Sequence, residues 1–282
     1  MFNVHSSLGV AESLAAARYS HAFSPSFETE RLRAQVPAVF ASSPSEHLRS
    51  TYTFIPTAKV VSALHDVGFQ TVAARQARRR RGSSEHARHL LRFRRRFETV
   101  EVGDAIPELV LSNSHDGTSA YQLRVGLFRP VCANGLMVAM GTFGALYVAH
   151  RGDVLERVVV GALEMSERFA ELPSVVSRMA WTTLSNAQRA DFVTRALALR
   201  YGDTVPDGLR PERLLLPKRD EDVGDDLWSV FNVVQEWLVG GGVPRIAPSG
   251  RRCSTRGIRA IREDVRLNTG LWAIAASYLE AA

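Results

Sequence analysis

Lysine is almost missing from this sequence: of 35 basic residues only Lys59 and Lys218 are lysines, which leaves 33 arginines. Cysteine is scarce too. Cys132 and Cys253 stand far apart, which excludes a disulfide framework and any paired CxxC zinc site. With so few cysteines a reducing, cytoplasmic setting is expected. No apolar run approaches the roughly 20 residues that span a bilayer, so no membrane partner is expected. The first 20 residues lack the basic start and apolar stretch of a secretory signal. HxxxH and HExxH are both missing, and Gly240–Gly242 is not followed by the Gly-Lys-Ser/Thr of a phosphate loop. No metal, cofactor or nucleoside-triphosphate machinery is therefore expected.

What is present is concentrated positive charge. Arg75, Arg78, Arg79, Arg80, Arg81, Arg88, Arg92, Arg94, Arg95 and Arg96 share residues 75–96 with a single acid, Glu85, a local charge of +9. The whole chain is +6, so everything outside that segment sums to −3. A GC-rich genome replaces lysine by arginine, but it does not gather arginine in one place. The planar guanidinium fork grips phosphate at two points, which makes nucleic acid, and DNA first, the expected partner. Phe93 and Phe97 lie among the arginines, where they either stack on bases or pack into the core. A second basic cluster, Arg251, Arg252, Arg256, Arg259 and Arg262, extends the expected nucleic-acid path.

The 282 residues read as a weakly structured N-terminal arm (1–50) and one α+β domain (51–282), sheet-rich over 51–150 and helical over 151–282. The arm's Ser/Pro/Ala-rich sequence suggests loops with a short helix near Ala11–Arg18. Pro56 and Thr57 signal a helix start, Val60, Val61 and Leu64 its inward face, and Gly68 its stop. FQTVAARQARRRR alternates like a strand and RHLLRFRRRF returns either as a second strand or as a helix. PELVL and SAYQLRVGLFR flank the turn-rich NSHDGT, and FGALYVAH gives a further strand. Asp153 is expected to cap a helix running through Leu172, and Ser185 with Gln188 forms a capping box. DDLWSVFNVVQEWLVGGG is a helix stopped by glycines, RRCSTRGIR a basic loop, and a last helix follows. The expected architecture is a central antiparallel sheet over about residues 69–150, carrying a basic hairpin and packed by C-terminal helices.

Three other constellations carry chemistry-bearing side chains. His115 and Asp116 are the weak catalytic candidates: a metal-ligand pair or a base with its orienter, joined by Cys132 and His150, or else residues capping their own hairpin turn. Cys132 precedes the Asn-Gly turn signal, at Asn134 and Gly135, as a buried thiol or a nucleophile. Asp220, Glu221, Asp222, Asp225 and Asp226 either hold Mg²⁺ or cap the helix that follows.

PELVLSNSHDGTSAYQL, GLFRPVCANGLMV, DLWSVFNVVQEWLVGGG and VRLNTGLWAIA resemble the phage/plasmid-like protein family, domain of unknown function 932. The resemblance runs from about Tyr52 to the C-terminus. It implies a mobile-element setting (plasmids and prophages) and no defined activity. The order of helix, basic hairpin, strands and long helix is also similar to Rad52-like annealing proteins, an analogy of fold alone. The expected function is nucleic-acid binding, extending to single-stranded DNA annealing in recombination and to a homo-oligomer. The alternatives are a metal-dependent nuclease or other hydrolase, and an interaction protein that inhibits a host defence system through a protein partner.

Overall fold

The computed structural model describes residues 29–78, 84–96, 105–129, 136–138 and 145–280. The expected helix near Ala11–Arg18, Arg79–Arg81, Phe97 and Cys132 lie outside the described residues. The part of the arm that is described is more ordered than its composition suggests. Helix α1 (Thr29–Gln35) and a 3-10 turn (Pro37–Phe40) bury Leu32, Val36, Ala38 and Val39 in the main core. Apolar residues three and four apart supply that face. The Ala38 N–H also bonds Gln76 Oε1 at 2.9 Å, which ties the segment to the sheet.

Helix α2 (Thr57–Asp66) follows, with Pro56 at its N-cap and Gly68, at φ 92°, just beyond its end. The next segments form an antiparallel meander of β1 (Phe69–Gln76), β2 (His89–Arg95), β3 (Ile106–Asn113) and β4 (Tyr121–Phe128). Short strands β5 (Leu136–Val138) and β6 (Leu146–Val148) both pair with the far edge of β4. The arginine segment is therefore a hairpin, with a register shift between Thr71 and Ala73. No helix among the described residues is long and apolar enough to cross a membrane.

The register sorts the side chains onto two faces, because successive strand residues point to opposite sides. Phe69, Leu91, Phe93, Leu109, Leu111, Leu123, Val125 and Leu127 point inward, where all are buried. Helix α2 adds Val60, Val61 and Leu64 to this core, and α3 (Val154–Glu167) adds Val154, Val158 and Ala162. Each large apolar side chain buried there contributes about 1.5–3 kcal/mol. Phe93 thus takes the core role of its two readings. The outer face carries Leu90, Arg92, Arg94, Glu108, Val110, Arg124 and Phe128, and it buries only a small cluster with Ile261.

The helical layer departs from expectation in two places. Asp153 precedes α3 but makes no side-chain cap, and the helix does not run through Leu172. A 3-10 turn (Arg168–Glu171) intervenes, and α4 (Leu172–Trp181) restarts with Pro173 in its first turn. Proline has no N–H to donate to the turn before it, and its fixed φ suits a helix start. Helix α5 (Asn186–Tyr201) has the complete Ser185–Gln188 capping box. Helix α6 (Leu227–Gly240) ends at Gly241 and Gly242, whose φ angles of 73° and 85° favour glycine. The basic loop that follows is a small ribbon of β7 (Pro244–Ile246) and β8 (Arg252–Ser254). Helix α7 (Ile261–Glu280) then bridges both halves. Ile261 packs on the outer face of the sheet, while Leu271 and Trp272 join Phe192 and Phe231 between α5 and α6.

Candidate nucleic-acid interface and a histidine-rich groove

The arginines of the hairpin divide by strand parity. Arg92 and Arg94 share the outer face with Glu108 of β3. The Glu108 carboxylate is fully buried and accepts from Arg92 Nε (2.5 Å) and Nη2 (3.0 Å) and from Arg94 Nε (2.5 Å). The Arg92 guanidinium also lies 3.4 Å from the centre of the Phe128 ring. Two arginines of the expected phosphate-binding set are thus engaged within the fold, and Arg94 is buried. Their role there is to hold a carboxylate that would otherwise sit uncompensated between strands. Arg75 pairs with Asp264 of α7 while remaining 40% exposed.

Arg88 and Arg124 bond no carboxylate among the described residues. Arg88 donates to the Thr118 carbonyl (3.1 Å), and Arg124 donates to Gln122 Oε1 and to the Tyr147 hydroxyl, each at 2.9 Å. Burial, together with the fields of Arg262 and Arg124, holds the Arg88 guanidinium below its ordinary pKa, against the opposite pull of Asp116. Arg88, Arg124 and Arg262 therefore form one cationic group. Tyr147, opposite Gln122 in the register, exposes its ring beside Arg124. Arg78 and Arg96 are exposed and Arg95 is half-buried. Arg251 and Arg252 are exposed on the β7–β8 ribbon, and the second basic cluster reaches the sheet through Arg262.

The second region lies where β2 starts and β3 ends, His89 being opposite Asn113. The β1–β2 and β3–β4 connections share this end. Here the two sequence candidates separate. Asp116 caps its own turn: Oδ1 accepts from the Thr118 N–H (3.1 Å), the Thr118 hydroxyl (2.6 Å) and the Ser114 hydroxyl (2.7 Å). His115 turns inward and is fully buried, against Phe54 and His89. His150 does come close, as the sequence suggested, through Asn113. Sequence reasoning missed His89, Tyr52, Thr57 and Tyr121.

Hydrogen-bond chemistry orders this cluster. His89 Nδ1 faces the Ala87 carbonyl at 3.0 Å and carries the proton, so Nε2 accepts from the Thr57 hydroxyl at 2.9 Å. Thr57 Oγ1 then accepts from His115 Nε2 (3.2 Å) and Asn113 Nδ2 (3.4 Å). Asn113 Oδ1 in turn accepts from His150 Nε2 at 3.0 Å. Tyr121 donates to the Ile55 carbonyl at 2.8 Å, and its oxygen sits 3.3 Å from Thr57 Oγ1. Tyr52 stacks on His150 with ring centres 4.4 Å apart, its hydroxyl 3.3 Å from His150 Nε2. A continuous polar chain thus leads from Tyr52 and His150 to the interior.

Burial keeps these imidazoles neutral. It lowers His89 to about 4 and, with the neighbouring histidines, His115 to about 3. Burial lowers His150 as well, while the Thr53 and Ser119 carbonyls pull it back up. Burial first, then the Asp116 charge, raises the Tyr52 phenol. Tyr52 and His150 form part of the wall of an open groove of about 440 Å³, shared with His47, Arg49, Ser119 and Arg151.

Two carboxylates of the acidic run before α6 are engaged within the fold, while Asp220, Glu221 and Asp225 are exposed. Asp222 is buried between Arg129 (2.7 Å) and Arg219 (3.2 Å), and Asp226 caps α6 through the Ser229 N–H. Among the described residues no three His, Cys, Asp or Glu side chains are placed to hold a metal ion. Asp116 Oδ1 is thus committed to its own turn, and the Asp222 carboxylate to two arginines.

The description "Domain of unknown function (DUF932)" matches residues 44–272, in line with the motifs quoted above. The chain is 38% identical over 251 residues to the UPF0380 protein YafZ of Escherichia coli (strain K12), covering 89% of this chain and 90% of that one. It is also 38% identical over 254 residues to the UPF0380 protein YfjQ of the same organism, with the same coverage. No solved structure matches.

Proposed function

This chain belongs to the family described as Domain of unknown function (DUF932), and for it we propose nucleic-acid binding through the outer face of the sheet and the arginine-rich β1–β2 hairpin. One observation supports the reading: β1 and β2, which flank the centre of the +9 segment, pair antiparallel, and Arg88, Arg124 and Arg262 beside their outer face bond no carboxylate among the described residues. Phosphate contacts supply the missing counter-charge and release condensed counterions. Single-stranded DNA fits best, because the exposed Tyr147 ring beside Arg124 offers a stacking surface. Annealing in recombination, a mobile-element setting and self-association along DNA belong to the same proposal.

Fluorescence anisotropy with labelled single- and double-stranded oligonucleotides tests it. Micromolar or tighter binding is expected, falling steeply between about 50 and 200 mM salt. The triple variant Arg88→Ala/Arg124→Ala/Arg262→Ala is expected to bind about tenfold or more weakly, with a shallower salt slope. Binding that ignores salt and the triple variant alike would overturn the proposal.

A further inference from the structure

We infer that the groove between the His47–Tyr52 segment and Ala149–Arg151 is a binding site for a phosphomonoester of mononucleotide size. None of Arg88, Arg124 and Arg262 lines this groove, and the site does not rest on the reading of the arginine face. Its walls bring together Arg49, Arg151, His47 and His150, and no carboxylate is among the described residues that line it. The nearest acid acting on Tyr52 is Asp116, whose Oδ1 is taken up by Ser114 and Thr118. Thr51, Tyr52 and Ser119 add hydroxyls to the same wall. Two guanidinium forks, imidazole and hydroxyl donors are the group types that complement a doubly charged phosphoryl group. A volume of about 440 Å³ suits a ligand of nucleotide size.

Two features show that the groove is built rather than incidental. Gly117 closes against Leu48, where an added Cβ would stand 2.5 Å from Leu48 Cδ2, and its φ of 74° favours glycine. The Tyr52–His150 stack is fixed from behind, because His150 Nε2 meets Asn113 Oδ1 and Nδ1 faces the Thr53 carbonyl at 3.4 Å. Both nitrogens of His150 face acceptors, an arrangement that suits an imidazolium once a nearby anion offsets the cost of burial. A phosphoryl dianion in the groove is that anion. Binding therefore raises the His150 pKa, and the hydrogen-bonded chain through Asn113 and Thr57 carries the change toward His89.

Histidine side-chain NMR of the full chain provides the test, with inorganic phosphate, adenosine monophosphate, and a single-stranded oligonucleotide bearing either a 5′-phosphate or a 5′-hydroxyl. Saturable shifts of the His150 and His47 resonances are expected with adenosine monophosphate, together with a rise in the His150 pKa. Arg49 and Arg151 are exposed, so Arg49→Ala/Arg151→Ala folds normally by circular dichroism and weakens binding about tenfold or more. Arg88→Ala/Arg124→Ala/Arg262→Ala leaves it unchanged. Preference for the 5′-phosphorylated oligonucleotide over its 5′-hydroxyl twin identifies a chain end as the source, and equal binding of the two identifies a free nucleotide. The site is overturned if neither phosphate nor adenosine monophosphate shifts His150 saturably, or if the double variant responds like the parent. Loss of salt-sensitive binding to the 5′-hydroxyl oligonucleotide alone refutes the arginine face and leaves this site standing.

Discussion

The outer face of the sheet and the groove at its β3–β4 end are both rich in cations, but they hold them differently. On the outer face three arginines are matched to carboxylates: Arg92 and Arg94 to Glu108, and Arg75 to Asp264. In the groove no carboxylate stands among the described lining residues, and histidines behind the wall are kept neutral by burial. The first arrangement is a structural charge pair with surplus cations around it. The second leaves its charge open to a ligand. Local charge density alone does not separate the two, whereas strand parity does.

The largest expected effect breaks the first arrangement. Glu108→Gln leaves two guanidiniums facing a neutral amide inside the sheet. A loss of about 3–5 kcal/mol in urea unfolding is expected. Arg92→Ala costs less, because Arg94 still holds the carboxylate. A loss no greater for Glu108→Gln than for an exposed arginine would remove the distinction between the two regions.

Acid sharpens the comparison from the other side. His89 and His115 have folded-state pKa values of about 4 and about 3, below the ordinary 6.5. The unfolded chain therefore takes up protons first. Stability contributed by the neutral histidines is complete above about pH 6.5 and falls as pH drops toward 4 and then 3, by a few kcal/mol in all. Unfolding free energies measured across this window check it, and His115→Phe is expected to flatten the lower part of the profile. A flat profile in the parent would mean that the cluster is protonated or open to water.

The smallest effect concerns Asp116. As a turn cap its replacement by alanine costs about 1 kcal/mol and leaves phosphomonoester binding in place. Loss of binding in Asp116→Ala, with the fold intact, would put the carboxylate in the site rather than behind it.

Much of the frame was legible in the sequence because local rules decide it. Pro56–Thr57, the Ser185–Gln188 box and Gly241 mark helix ends through backbone chemistry that needs no partner. Alternation marked the first strand of the hairpin but left residues 85–96 open between strand and helix, and pairing with β1 and β3 decides for the strand. The break at Arg168–Glu171 was missed although Pro173 announces it, because the apolar spacing continues through it. The β7–β8 ribbon was read as a loop, since three-residue strands are too short to show a period. The site was less legible. Glu108 stands opposite Arg92 and Arg94 only after β2 and β3 are paired in register, and PELVL by itself says nothing of its partner. His89 sits in an arginine run whose charge hid it, and Tyr52 and His150 meet across 98 residues. Such contacts are set by topology, and a single sequence carries no direct trace of them.

The pairing of Arg75 with Asp264 has a consequence in time. The two residues are 189 positions apart. At about 5–20 residues per second, a ribosome makes the arginine hairpin on the order of ten to forty seconds before the helix that completes its outer face. For that interval the sheet can form while the carboxylate of α7 does not yet exist, so Arg75 has no Asp264 to pair with. Docking of α7 is thus the step that gives Arg75 its carboxylate, and the cations beside it stay open in the finished fold.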